Sequence, residues 1–106
     1  MWILVINSGG HTLIEDFVII SPNTVIAHHT ILRKGCMIST MCVVGASIEI
    51  GEYSFFGIGS IAITGINRVG KNVYLGAGTT VTQDTEDNVL MVGTPARKLR
   101  NREPII

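Results

Sequence analysis

Two adjacent histidines, His28 and His29, are the side chains of this 106-residue sequence best suited to moving a proton near neutral pH. They follow a short apolar run and lie at a predicted turn. His28 is either a surface histidine at that turn or a general base. His29 is either a residue that tolerates positive φ or a group that orients His28. The third histidine, His11, is predicted to lie exposed in a loop without a partner.

Basic residues crowd the end of the chain, where Arg97 and Lys98 are followed by Arg100 and Arg102. These cations either donate charge-assisted hydrogen bonds to the phosphates of a ligand or are solvated. Over the whole chain eight basic residues balance eight acidic ones. We therefore expect neither nucleic acid nor a membrane surface as a partner.

Cys36 and Cys42 are predicted to be buried free thiols, because they occupy equivalent positions on different faces of the repeat described next. A disulfide or a metal site would need them side by side. A catalytic zinc site would need three converging imidazoles. The position 36 residues after His28, where the repeat described next would place a partner ligand, is Thr64, which is not a histidine. We expect no metal.

The chain repeats every six residues, a period that fits neither an amphipathic helix nor simple strand alternation. The first slot of each hexad (slot i) is occupied by Ile14, Ile20, Ile26, Leu32, Ile38, Val44, Ile50, Phe56, Ala62, Val69, Leu75 and Val81. Four places later (slot i+4) stand Val18, Thr24, Thr30, Cys36, Cys42, Ile48, Ser54, Ser60, Val73 and Thr79. Strand alternation points both slots inward, and the period favours a parallel β-helix.

Slot i+3 falls at the corners between the short strands. It is occupied by Phe17, Asn23, His29, Gly35, Met41, Ser47, Tyr53, Gly59, Gly65, Asn72 and Gly78. Glycine, asparagine and histidine are the types that tolerate or are enriched at positive φ, so most of these corners suit that conformation.

Three hexads make one turn, so stacked residues should lie 18 positions apart along the chain and about 4.8 Å apart in space. We predict one all-β domain over 1–106: an N-terminal strand (Trp2 to Ile6) and turn in 1–13, coils in 14–92, and a basic C-terminal tail in 93–106. The seven-residue step from Ala62 to Val69 predicts a bulge. The opening apolar run is too short to span a membrane and lacks a basic leader, so we expect a cytoplasmic protein.

The hexad Ile50-Gly51-Glu52-Tyr53-Ser54-Phe55 and the ending Val92-Gly93-Thr94-Pro95-Ala96-Arg97 resemble the hexapeptide-repeat acyltransferases of the left-handed β-helix fold. The run Val25-Ile26-Ala27-His28-His29, one coil before Val44-Gly45-Ala46-Ser47, is similar to the sugar O- and N-acetyltransferases, including sialic acid O-acetyltransferases. The resemblance implies a left-handed homotrimer that binds acetyl-CoA between coils.

The resemblance also implies residue roles. His28 would be the general base on a hydroxyl or amine of a sugar-like acceptor. Ala46 stands where the family has a glycine whose N–H faces the thioester carbonyl, and Ile58 and Gly76 fall where it contacts the pantetheine arm. Apart from the resemblance, the charges of Arg97 and Lys98 make them the candidates to contact the coenzyme phosphates.

The sequence departs from the family in three places. His29 replaces a carboxylate, Met37 replaces a second histidine, and the N-terminal sugar-binding domain is not expected here. The rival prediction is therefore a catalytically silent trimeric scaffold or ligand-binding module, which acetyl-CoA binding and turnover would separate from an enzyme.

Overall fold

The computed structural model describes residues 5–8 and 10–104, residues 5–8 by their backbone alone. Fifteen short strands follow one another: β1 (Val5–Ser8), β2 (Leu13–Ile14), β3 (Ile19–Ile20), β4 (Thr24–Ala27), β5 (Ile31–Leu32), β6 (Met37–Ile38), β7 (Val43–Val44), β8 (Glu49–Ile50), β9 (Phe55–Phe56), β10 (Ile61–Ala62), β11 (Arg68–Val69), β12 (Tyr74–Leu75), β13 (Thr80–Val81), β14 (Val89–Val92) and β15 (Arg97–Asn101). The described residues contain no helix that could cross a lipid bilayer. The strand predicted from Trp2 to Ile6 lies partly outside the described residues, and its described part belongs to β1.

The chain visits three sheets in rotation. Sheet A contains β1, β4, β7, β10 and β13; sheet B contains β2, β5, β8 and β11; sheet C contains β3, β6, β9, β12, β14 and β15. Paired residues lie 19 positions apart between β1 and β4 and 18 positions apart in the pairings from β2 to β10, as Val25 and Val43 do. The prediction of an all-β, left-handed parallel β-helix is confirmed, and the solenoid has about four turns.

The interior of the column is filled by the two slots that were predicted to point inward. From Ile26 to Val81, every slot-i side chain is at most 1 % exposed. Ile14 is half exposed because β2 is the edge strand of sheet B. Buried slot-i+4 hydroxyls donate to carbonyl groups one layer on: Thr30 Oγ1 to Gly45 O at 3.0 Å and Ser54 Oγ to Gly70 O at 2.6 Å. Stacking therefore satisfies these buried polar groups.

The corners adopt the predicted conformation. All eleven residues of slot i+3 have positive φ, from +53° at Asn72 to +114° at Gly65. Phe17, Met41 and Tyr53, which ordinarily avoid this region, also occupy it. The geometry of the solenoid thus overrides the local preference of these three residues.

The seven-residue step forms a bulge at a corner, as predicted, with an isolated bridge between Thr64 and Ile66. The strand pairings that cross it shift from 18 to 19 positions, as between Glu49 and Arg68. Asp84 covers the bulge, because its Oδ1 accepts the backbone N–H groups of Asn67 at 2.7 Å and Arg68 at 3.1 Å. These hydrogen bonds lower the pKa of Asp84.

The C-terminal segment, which was predicted to be a basic tail, contains a strand that pairs with the end of the solenoid. β14 adds to sheet C beside β12, and the turn at 93–96 returns the chain as β15, which pairs antiparallel with β14. Beyond it, Asn72 Nδ2 donates to Glu103 O at 2.8 Å, and Arg102 Nη1 donates to Asn72 O at 3.2 Å. The segment therefore supplies the last edge of sheet C and reaches back to a corner.

Candidate active site

His28 and His29 follow β4 directly and form the exposed corner between sheets A and B. Their Nδ1 atoms lie 2.9 Å apart, and their rings meet edge to face, with centroids 5.1 Å apart. A contact between two ring nitrogens requires one N–H donor and one lone-pair acceptor. When His28 is the donor, its Nε2 keeps a lone pair. The contact thus requires the two imidazoles to differ, because one carries its proton on Nδ1 and the other has a lone pair there.

His11 belongs to the same corner, and the prediction that it has no partner is wrong. Its ring stacks on that of His29, with centroids 5.0 Å apart and planes inclined by 25°. The two residues are 18 positions apart and share a φ of 57°, so the coil repeat places one ring above the other. The 18-residue spacing was visible in the sequence and was the signal that could have revealed this contact.

Ala46 lies one layer beyond His28 in the same corner, where Ser47 N donates to His28 O at 3.0 Å. The Ala46 N–H donates to Thr64 Oγ1 at 3.0 Å. The N–H group expected to face a ligand therefore has a hydroxyl as its acceptor. Thr64, 18 positions after Ala46, is a further residue of this corner to which the sequence analysis assigned no role beside Ala46.

Ile58 and Gly76 lie away from the histidine corner. Ile58 is exposed at the corner between sheets C and A, where its carbonyl accepts Gly78 N at 2.8 Å. Gly76 packs on Gly57 so closely that a Cβ on Gly57 would lie 2.9 Å from Gly76 C. Within one chain, sheet A separates these residues from His28, so the structure does not unite the predicted site.

Arg97 and Lys98 lie on β15 in different surroundings. Arg97 lines a cavity of about 290 Å³ together with Val81, Thr82, Gln83, Asp84, Met91, Pro95 and Ala96. Lys98 Nζ forms an ion pair with Glu86 Oε1 at 2.9 Å. Arg97 is thus the better placed of the two to meet an anionic ligand, because a carboxylate already partners Lys98.

The described residues contain no group of three His, Cys, Asp or Glu side chains arranged to hold a metal ion. Cys36 and Cys42 are free and buried, as predicted. Burial raises the pKa of the Cys36 thiol to about 12, with a smaller contribution from Glu15, and burial also raises the pKa of Cys42. Neither thiol is suited to act as a nucleophile near neutral pH.

Comparison with known proteins finds acetyltransferases. The galactoside O-acetyltransferase of Escherichia coli (strain K12) is 32% identical over 93 residues, which cover 82% of this chain and 42% of that protein. No family model matches. The chain thus spans less than half the length of this curated relative, and its homologues are acetyltransferases, as the resemblance implied.

Solved structures share the fold. Serine acetyltransferase from Neisseria gonorrhoeae superposes with a TM-score of 0.81 at 20% identity, covering 89% of this chain and 40% of that one. The H141N mutant of perosamine N-acetyltransferase from Caulobacter crescentus, in complex with CoA and GDP-perosamine, superposes with a TM-score of 0.70 at 19% identity, covering 92% and 58%. The β-solenoid described above is consistent with a hexapeptide-repeat acetyltransferase.

Proposed function

We propose that this chain is the β-helix portion of an acetyl-CoA-dependent acetyltransferase that acylates a hydroxyl or amine of a small, sugar-like acceptor. The 2.9 Å contact between the Nδ1 atoms of His28 and His29 carries the proposal. With its Nδ1–H donated to His29, His28 keeps Nε2 free to accept a proton. A base oriented by a third group in this way is the arrangement typical of general-base catalysis. The similarity to a galactoside O-acetyltransferase supports acetyl transfer and a sugar-like acceptor.

In the proposed reaction, His28 donates its Nδ1–H to His29 and uses Nε2 to remove the acceptor's proton. The acceptor oxygen or nitrogen attacks the thioester carbonyl, the C–S bond breaks, and the CoA thiolate takes the proton from His28. The acetyl group ends as an ester or an amide of the acceptor. His29 replaces the carboxylate expected at its position as the orienting group.

The developing oxyanion is assigned to the corner layer after His28. The Thr64 hydroxyl accepts the Ala46 N–H and has its own proton to donate outward. A donor that is itself polarised by a hydrogen bond is strengthened by it. We therefore keep Ala46 in the site and add Thr64 as the group that contacts the carbonyl oxygen.

A homotrimer is part of the proposal. Sheet B carries an ion-pair ladder, in which Arg33 bridges Glu15 at 3.1 Å and Glu49 at 2.7 Å. Among the described residues, sheet B exposes large apolar side chains only on its edge strand, at Leu13 and Ile14. Sheets A and C expose them on inner strands as well: Val43 and Ile63 on the side of sheet A, and Met37 and Tyr74 on sheet C. Three-fold closure packs one face of a subunit on a different face of the next, so sheets A and C are the surfaces to be joined.

This packing would place His28 at a boundary between two subunits. His28 borders sheet A, whereas Gly76 follows β12 of sheet C and Ile58 lies at the corner that the two sheets share. Because the corner shared by sheets A and C faces the three-fold axis in such a trimer, His28 would lie at the outer edge of the interface, against the corner between sheets B and C of the next subunit. Arg97 would hold the coenzyme phosphates beside its cavity. A cytoplasmic location is part of this proposal.

Calorimetry with acetyl-CoA, followed by a thiol-release assay with galactosides and amino sugars, tests the function. We expect saturable binding that His28→Ala leaves intact while turnover falls by about 100-fold or more. Lys34→Ala changes the equivalent slot of the next corner and is the matched control. Full turnover by His28→Ala would refute its role as the general base. A wild-type chain that binds no acetyl-CoA would refute the enzyme and favour the rival prediction of a catalytically silent trimeric scaffold.

A further inference from the structure

The stack of His11 on His29 is built by the fold. Both residues occupy the positive-φ slot of the same corner in successive coils, and His29 N donates to Gly10 O at 3.2 Å across the two layers. The ring separation of 5.0 Å is close to the spacing of about 4.8 Å between neighbouring strands. The rings therefore lie face to face because their backbones are stacked in register.

The stack leaves His29 with two ring contacts that differ in kind. One face is covered by His11, while Nδ1 on the ring edge meets Nδ1 of His28 at 2.9 Å. An exposed histidine ordinarily samples several rotamers and turns its ring freely. Covering one face restricts the tilt of the His29 ring, so the ring edge that carries Nδ1 stays next to His28.

We propose that His11 is a positioning residue, which holds His29 in the orientation that fixes the tautomer of His28. The catalytic consequence rests on the proposed function, whereas the effect on the tautomer does not. His11 acts here through its ring face and transfers no proton. Any flat ring that fits the slot should therefore replace it, and a side chain without a ring should not.

Nitrogen-15 NMR of the imidazole side chains of the full chain, at a pH of about 8 where free imidazoles are neutral, tests the proposal. In the wild type we expect His28 to hold its proton on Nδ1 and His29 on Nε2. His11→Asn keeps a residue that tolerates positive φ but removes the ring, and should return His28 to a mixture of tautomers. His11→Phe should retain the wild-type pattern, and Phe17 at φ 62° demonstrates that the slot accepts this side chain.

Phe17→Asn makes the same ring removal in the same slot of the next corner and should leave the histidine spectrum unchanged. His11→Ser gives a second ring-free variant should His11→Asn fail to fold, because Ser47 holds the same slot of this corner. An unchanged His28 pattern in the ring-free variants would overturn the proposal. A His11→Phe spectrum that matches His11→Asn would overturn it as well.

Kinetics provide a second readout. We expect His11→Asn to lower kcat about tenfold, because losing the orientation of His28 removes only a part of what a general base contributes. The KM for acetyl-CoA should not change, and His11→Phe should restore the wild-type kcat. An equal kcat in His11→Asn and the wild type would count against the positioning role. A wild-type chain that transfers no acetyl group would refute the proposed function. The NMR comparison would still show whether the His11 ring fixes the tautomer of His28.

Discussion

The hydroxyl of Thr64 accepts the backbone N–H of Ala46 at 3.0 Å, across one layer of the histidine corner. The two residues are 18 positions apart, the same spacing that joins His11 to His29. One corner of the column thus carries a ring stack and a hydroxyl-capped amide in adjacent layers. Both follow from the same coil repeat.

Replacing Thr64 by valine removes the acceptor of the Ala46 N–H and the hydroxyl assigned to the oxyanion. We expect kcat to fall about tenfold to 100-fold, because a single oxyanion donor contributes at least that much, while acetyl-CoA affinity changes little. Exchange of the Ala46 amide proton, followed by NMR, should also become faster. Thr64→Ser keeps the hydroxyl and is the control. Slow exchange in Thr64→Val would contradict the assigned hydrogen bond.

Thr79 differs from Thr30 although both are buried in slot i+4. Thr30 donates to the carbonyl of Gly45, fifteen residues on. The hydroxyl of Thr79, in contrast, is buried and has no hydrogen-bond partner within the described residues. An unsatisfied buried group destabilises the folded state.

We therefore expect Thr79→Val to raise the free energy of unfolding by about 1 kcal/mol and Thr30→Val to lower it by about 1 kcal/mol. Urea unfolding at one protein concentration measures both variants. Equal destabilisation by the two substitutions would imply that the Thr79 hydroxyl has an acceptor after all.

Burial of Cys36 predicts a loss of stability in alkaline solution. Its pKa is about 12 in the folded chain and 9.0 for an ordinary thiol, so both states hold the proton below pH 9. Between these values the unfolded chain releases the proton and the folded chain does not, so unfolding becomes easier as the pH rises.

Cys36→Val should reduce this decline when urea midpoints are compared between pH values of about 8 and 10.5. Ile38→Val alters the neighbouring core position but leaves the thiol, and it should retain the wild-type slope. A Cys36→Val slope as steep as that of Ile38→Val would assign the decline to other groups.

Met41 tests the proposed trimer. It is 60% exposed at the corner shared by the two apolar faces, in the same positive-φ slot that Tyr53 occupies two corners on, between sheets B and C. We expect Met41→Lys to reduce the mass measured by light scattering from three chains to the 11.4 kDa of one, because a charge at a buried subunit contact costs more than the contact contributes. Tyr53→Lys should leave the trimer intact. A trimer that survives Met41→Lys would exclude this corner from the interface.

The sequence alone was sufficient to predict the solenoid fold. Its six-residue period identified the buried slots from Ile26 to Val81, the corner slot whose residues have positive φ from Phe17 to Gly78, and the bulge before Val69. These features repeat in every coil and depend on strand alternation and corner conformation, which are properties of a few consecutive residues. The period of 18 also contained the pairs His11 with His29 and Ala46 with Thr64, although neither was derived from it.

The tertiary structure decided the contacts that the chain makes beyond the repeat. Within the repeat, the number of hexads already places His28 and Ala46 at one corner and Ile58 and Gly76 at another, and the structure agrees. Beyond it, the structure alone paired β15 with β14 and Lys98 with Glu86. Those contacts form where the repeat has ended, so no period could predict them, and only the path of the folded chain brings these side chains together.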